Sequence, residues 1–283
     1  MPTSPKPARR LPTRIAGLLL AGLLPALAPA AAPAKCSRVL EVPVAPIGMA
    51  VTVGEGERVG GIYPDLLRSA AARDGCWINF PVVPRARQEM MFETGQADLL
   101  LPARRSARRD KLGQFVPMIQ SRAMLVSLPS ERAGVHSLAE LLKRSELRVV
   151  VVRGYDYDAA YQAALKTLEV QGRLLWAPNP ISLARMLEGA IADLAIITPT
   201  VLNGSLRGDP KLQPLLARLR YEAVDELAWG DSGVYISSRA ELGADDRALL
   251  REWLQKMGRS GAAWREFQRH YPDERLSESL RPR

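Results

Sequence analysis

The chain has only two cysteines and two histidines in 283 residues. His136 and His270 lie far apart, and neither is near a cysteine in sequence, so a zinc site of three or four His/Cys ligands is not expected. The same scarcity argues against a Ser/His/Asp triad. One histidine precedes the second predicted α/β unit and the other falls in the terminal helix, so neither is placed at a sheet edge. Gly54-x-Gly56 precedes no predicted helix and lacks a third glycine, so it is not a nucleotide-binding loop. There is no lysine-rich tail and no interleaving of aromatic and basic residues, which removes nucleic acid from the expected partners. No apolar run beyond the first 34 residues is long enough to span a bilayer. Together these gaps predict a protein that is not an enzyme and holds no cofactor.

What is present begins with a leader. Arg9, Arg10 and Arg14 form a basic stretch, and 15–32 is a nearly unbroken run of Ala, Leu, Gly and Pro. Ala32-Pro33-Ala34 supplies a small-x-small site, so residues 1–34 read as a signal peptide cleaved before Lys35, and the protein is expected in the periplasm. The rival reading is a membrane anchor, which the two prolines and the dense alanine disfavour. The leader holds four cations (Lys6, Arg9, Arg10, Arg14) and no acids, so the formal charge falls from +9 to +5 on the remaining 249 residues. That balance suits an anionic ligand or a plain soluble surface.

Export allows the two cysteines to pair. Cys36 and Cys76 each stand just before a predicted strand, at 39–44 and 77–83. Parallel neighbours would bring both sulfurs to one end of a sheet. The alternative is two separate buried thiols.

The remainder alternates strands and helices, the pattern of an α/β protein with mainly parallel pairing. Strands are predicted at 39–44, 77–83, 97–101, 123–128, 148–152, 173–176, 193–197 and 233–237. Helices are predicted at 64–73, 87–93, 138–143, 156–168, 182–188, 245–257 and 262–271. The residues from 82 to 117 run strand, helix, strand, and then a loop with Arg104, Arg105, Arg108 and Arg109 that ends in Phe115-x-Pro117. Arginines at the carboxyl end of a buried strand are how an open α/β sheet holds an anionic small molecule.

Several motifs together resemble the family 3 solute-binding proteins of bacterial ABC uptake systems, the group that includes the polar amino acid binders. They are Gly61-Ile-Tyr-Pro-Asp-Leu-Leu67, Gly95-Gln-Ala-Asp-Leu99, Ser106-Ala-Arg-Arg109 with Phe115-x-Pro117, Val151-Val-Arg-Gly154, Met186-Leu-Glu-Gly-Ala-Ile-Ala-Asp193, and a closing Gly-Val-Tyr strand with two helices. The resemblance implies the two-lobed (type II) periplasmic-binding-protein fold, with two crossing segments, a sheet flanked by helices in each lobe and a ligand in the cleft. The first lobe is expected at 35–127, the second at 128–225, and a return to the first at 226–283. The implied partners are a small-molecule ligand and an inner-membrane ABC permease, with the binding protein acting as a monomer. A role in sensing, or as an accessory to another periplasmic protein, uses the same fold.

By this resemblance Arg109 is the arginine that grips a ligand carboxylate, through planar paired bonds that lysine cannot copy. Arg104, Arg105 and Arg108 cannot all face the same ligand. Arg85 and Arg87 flank a strand end and are candidates for the cleft wall. Gly154, Tyr155 and Asp156 follow a buried strand and open a helix, where backbone N–H groups can hold an anion. Asp98 and Asp193 read as structural. Thr198 stands where amino acid binders of the family carry an acid for the ligand ammonium, so the expected ligand is a carboxylate-bearing or anionic solute, an amino acid or an organic acid.

Overall fold

The computed structural model describes residues 1–4, 35–130, 134–272 and 276–283, so most of the expected signal peptide lies outside the described residues. The chain divides into Met1–Ala32 and Pro33–Arg283, and all that follows concerns the second unit.

The strands and helices follow one another in chain order. Strand β1 is Leu40–Glu41, β2 Thr52–Val53 and β3 Val59–Gly60, followed by helix α1, Ile62–Arg73. Next come β4 (Ile78–Asn79), α2 (Arg85–Thr94), β5 (Leu99–Arg104), the short α3 (Ala107–Asp110) and β6 (Gly113–Ser121). The second group opens with β7 (Met124–Ser127) and α4 (Leu138–Lys143). It continues with β8 (Val149–Val152), α5 (Ala159–Val170), β9 (Leu174–Ala177), α6 (Pro180–Glu188), β10 (Leu194–Ile197), α7 (Pro199–Arg207) and β11 (Arg220–Glu222). The chain closes with β12 (Gly230–Ser237), α8 (Ala244–Arg259), α9 (Ala262–His270) and β13 (Leu280–Arg281).

A five-stranded sheet runs β11-β7-β10-β8-β9. In it β10, β8 and β9 are parallel, and β7 is antiparallel to β10. The all-valine β8 is buried throughout, as a strand covered on both faces must be. Its odd and even residues divide between two cores. Val149 and Val151 pack with Leu138, Leu141, Tyr161 and Leu165 of α4 and α5. Val150 and Val152 pack with Leu183, Leu187, Leu202 and Leu206 of α6 and α7. Side-chain caps fix where these helices begin: Ser137 for α4, Asp158 for α5 and Asn179 for α6 each accept a bond from the backbone N–H three residues on.

A four-stranded sheet runs β13-β6-β12-β5 and is antiparallel throughout. Mainly parallel pairing therefore does not extend to this sheet; β6 and β12 carry the chain out and back, and so run in opposite directions. Beside it β1 and β4 pair in parallel, and Asp98 N donates to Glu41 O at 2.8 Å, tying the start of β5 to β1. The Asp98 carboxylate accepts from Glu41 N and from Arg38, a structural use. A third core, with Leu40, Tyr63, Leu67, Leu254 and Phe267, packs α1, α8 and α9 on these strands.

The chain passes from one sheet to the other within two residues, between β6 and β7. Met124–Ser127 pairs with β10, so the first crossing lies at 122–123, upstream of the expected border at 127/128. The return runs from β11 to β12. There two guanidinium groups stack on the Trp229 ring, Arg122 at 5.0 Å and Arg281 at 4.4 Å from its centre. Cys36 and Cys76 form a disulfide with Cα atoms 5.4 Å apart.

Candidate functional site

The carboxyl end of β5, the first turn of α2 and the segment after β8 converge on a cavity of about 70 Å³. Arg85, Arg104, Arg109, Tyr155, Asp156 and Thr198 all line it. The sequence also omitted several contributors: Tyr63 from α1, Tyr157 beside Asp156, Thr200 in α7 and Ser232 in β12. At one water per 10–15 Å³ of such volume, the cavity holds roughly five waters, so any ligand it encloses is small.

The arginines divide sharply. Arg109 is 1% exposed, yet its charge is already answered. Its Nε and Nη2 donate to the two oxygens of Glu89 at 3.1 and 2.7 Å, and Nη1 donates to Arg104 O at 2.8 Å. Arg85 Nη2 donates to Glu89 at 2.7 Å, while Nη1 reaches Gln88 and Pro102 O. Arg108, itself exposed, reaches in to Glu89 and bonds Glu93 at the surface, and Arg105 bonds Asp110. Glu89 is thus the hub of a buried cluster. Burial alone would raise its pKa, but the charges of Arg85 and Arg109 and the Arg109 hydrogen bonds outweigh burial and hold it at about 2. Burial lowers the pKa of Arg85, with Glu89 opposing.

Arg104 is different. Its Nη1 donates to Ser121 O and its Nη2 to Ala228 O at 3.3 Å, both neutral carbonyls. Its guanidinium lies 5.8 Å from the Tyr157 ring centre. Among the described residues no carboxylate comes within ion-pair distance of it, and burial is the main influence lowering its pKa.

Three expectations change. Arg87 is exposed and does not line the cavity. It sits two residues after Arg85 on the same helix, so the two point to opposite sides. Gly154 does not line it either; its φ of +85° brings the loop against α2, where an added Cβ would lie 3.0 Å from Ala86 N and 3.1 Å from Arg85 Cγ. Tyr155 N donates back to Val152 O at 3.1 Å, and α5 starts only at Ala159, so no helix N-terminus opens at 154–156. The Asp156 side chain accepts from Gln162 at 2.8 Å. Thr198 stays on the wall, at the N-cap of α7, with its backbone N–H donating to Tyr157 Oη at 3.1 Å.

Polar atoms without partners gather here. Five buried side-chain polar atoms lack a hydrogen bond among the described residues, and four of them, Tyr63 Oη, Tyr155 Oη, Arg85 Nε and Arg104 Nε, belong to residues lining this one cavity. Burial raises the pKa of both tyrosines, which therefore remain neutral hydroxyls. Each of the four atoms can donate, and an unmet buried donor costs about 1–3 kcal/mol.

No family model and no curated protein matches this chain. Solved structures do. A histidine kinase sensor domain with similarity to periplasmic binding proteins matches with a TM-score of 0.64 at 16% identity, over 83% of this chain and 96% of its own. ArtJ, an arginine-, lysine-, histidine-binding protein of Geobacillus stearothermophilus, matches with a TM-score of 0.65 at 14% identity, over 85% of this chain and 98% of its own. A putative L-cystine ABC transporter protein of Listeria monocytogenes gives 0.63 at 15% identity, over 82% of this chain and 95% of its own. The chain has the two-lobed fold of the periplasmic binding proteins, with its arginine cavity among segments of both lobes.

Proposed function

We propose that this protein captures a small carboxylate-bearing solute between its lobes and delivers it to an ABC-type permease in the inner membrane. One observation carries the reading: unmet donors and a buried guanidinium without a carboxylate converge on a single cavity. Arg85, Arg104 and Arg109 bring three positive charges, against two carboxylates, Glu89, which pairs with Arg85 and Arg109, and Asp156, which lies on the wall without an ion pair to any of the three. A remaining positive charge favours an anion, and a carboxylate supplies acceptors for the donors. Arg104 is the leading contact, and Arg109 supports it by holding its backbone. Thr198 gives a ligand ammonium no counter-charge, and the one wall carboxylate, Asp156, already accepts from Gln162, which favours an organic acid over an α-amino acid. The leader and the Cys36–Cys76 disulfide support residence in the periplasm. A sensing role remains the second reading, favoured by the likeness to a histidine kinase sensor domain.

Thermal-shift screening against monocarboxylates, dicarboxylates, amino acids and sulfonates tests the reading. A ligand at a hundred times its dissociation constant adds about 2.7 kcal/mol of stability. Arg104→Met is expected to lose that response while its unliganded melting temperature stays near that of the parent. Gly230→Ala is a second probe, since a Cβ there overlaps the Arg104 guanidinium and displaces it without removing its charge. Stabilisation by basic amino acids alone would overturn the assignment.

A further inference from the structure

A second, larger cavity of about 630 Å³ lies between 45–53 and 82–85 on one side and 152–155, 178–181 and 204–210 on the other. It shares two lining residues with the first, Arg85 and Tyr155. The Tyr155 ring packs against the core of the first lobe and against both cores of the second, so it stands where the lobes meet. The two cavities are therefore neighbours across one tyrosine and one arginine.

Their chemistry is opposite. The small cavity collects polar atoms without partners. The large one is walled mainly by apolar side chains, Val51, Val53, Val83, Pro84, Pro180 and Ile181 among them. Arg85 Nε and Tyr155 Oη, two of those unpartnered atoms, lie on the wall the cavities share, but three of the four polar side chains that belong to the large cavity alone are already engaged. Asp209 bonds Arg185 at 3.2 Å and Lys211 N at 3.0 Å. Ser205 Oγ accepts from Gly48 N and donates to Val201 O. Asn179 Oδ1 caps α6 through Ser182 N, and Arg85 is paired with Glu89. The two charged groups on this wall, Asp209 and Arg85, are already paired with Arg185 and Glu89, so a charged ligand group would have to compete for them, whereas an apolar group would lose water contact against apolar walls. A volume of this size falls in the range of sites for small organic ligands, while the first cavity has room for little more than an acid group.

We infer that the ligand is an amphipathic monocarboxylic acid, with its carboxylate at Arg104 in the small cavity and an alkyl or aryl tail passing Tyr155 into the large one. This rests on the carboxylate reading of the small cavity and adds the tail. It separates the expected solute from a dicarboxylate or a basic amino acid, whose second polar end would lie among Val51, Val53 and Ile181.

Titration calorimetry on the intact protein with straight-chain acids from acetate to octanoate, together with succinate and 3-phenylpropionate, decides the matter. Affinity is expected to rise roughly four-fold per methylene as the tail enters the groove, from about 0.8 kcal/mol per buried CH₂. The phenyl acid is expected to bind more tightly than succinate. Val53→Trp and Ile181→Trp fill the groove from opposite lobes, and either is expected to flatten the dependence on chain length. If short acids or succinate bind as tightly as long acids, the tail inference falls and the carboxylate reading stands. If no acid binds, both fall.

Discussion

Glu89 is the residue on which the buried cluster turns. It answers Arg85 and Arg109 at once, and removing it leaves two guanidinium groups in the interior without their shared counter-charge. Breaking a buried ion pair from one side costs about 3–5 kcal/mol, so Glu89→Ala is expected to lose that much in urea denaturation. The same pairing predicts an acid response. With a folded pKa near 2, against 4.5 for the ordinary side chain, Glu89 contributes stability that is full above pH 4.5 and is lost as pH falls toward 2. The contribution is on the order of 3 kcal/mol, and the denaturation midpoint measured from pH 6 down to pH 2.5 should track it. Glu89→Gln should remove most of this pH dependence. Arg109→Ala is expected to unfold the site rather than merely silence it. The spacing of Arg109 to Phe115 was legible in the sequence. Its partner was not, because Glu89 lies twenty residues earlier and meets Arg109 only through tertiary packing. The four-residue spacing of Arg85 and Glu89 on one helix was the available clue.

Among the elements, β8 and β10 could be read directly, because a strand buried on both faces has nothing but apolar residues to show. Strand β6 could not. Pro117 sits inside it and reads as a breaker, but the pairing slips there between Ser232 and Gly233, and a bulge tolerates the missing N–H. Helix α7 was also hidden, since Pro199-Thr-Val-Leu-Asn-Gly is poor in helix formers. Pro199 at its first turn was the signal. Gly204 has a packing reason to be in that helix. A Cβ there would overlap Tyr271 Oη and lie 2.7 Å from Met49 N, where the backbone of the first lobe approaches the second. The Tyr271 hydroxyl donates to Thr200 O at 2.7 Å and accepts from Met49 N at 3.2 Å, bonding both lobes at this point. Alanine favours a helix by about 1 kcal/mol over glycine, yet overpacking costs about 1–3 kcal/mol. Gly204→Ala is therefore expected to be net destabilising and to weaken ligand binding, seen as a lower urea midpoint and a raised dissociation constant.

At the scale of the whole molecule the strand and helix alternation made two α/β lobes legible. The position of the first crossing was less so, because β6 and β7 together look like one interrupted stretch of strand. The disulfide closes 40 residues of sequence at the start of the first lobe. By loop-closure entropy it contributes roughly 4 kcal/mol, so Cys36→Ser with Cys76→Ser is expected to lower the melting temperature while leaving ligand affinity close to that of the parent. The contact of Arg122 and Arg281 with one aromatic ring has an optical consequence. Trp229 lies on the return segment and Arg122 on the outgoing one, so a change in lobe angle on the proposed ligand capture would alter the field and the quenching at one indole. That indole would then serve as a fluorescent gauge of ligand capture, and Trp229→Phe should erase the part of a ligand-induced emission change that arises at the crossings.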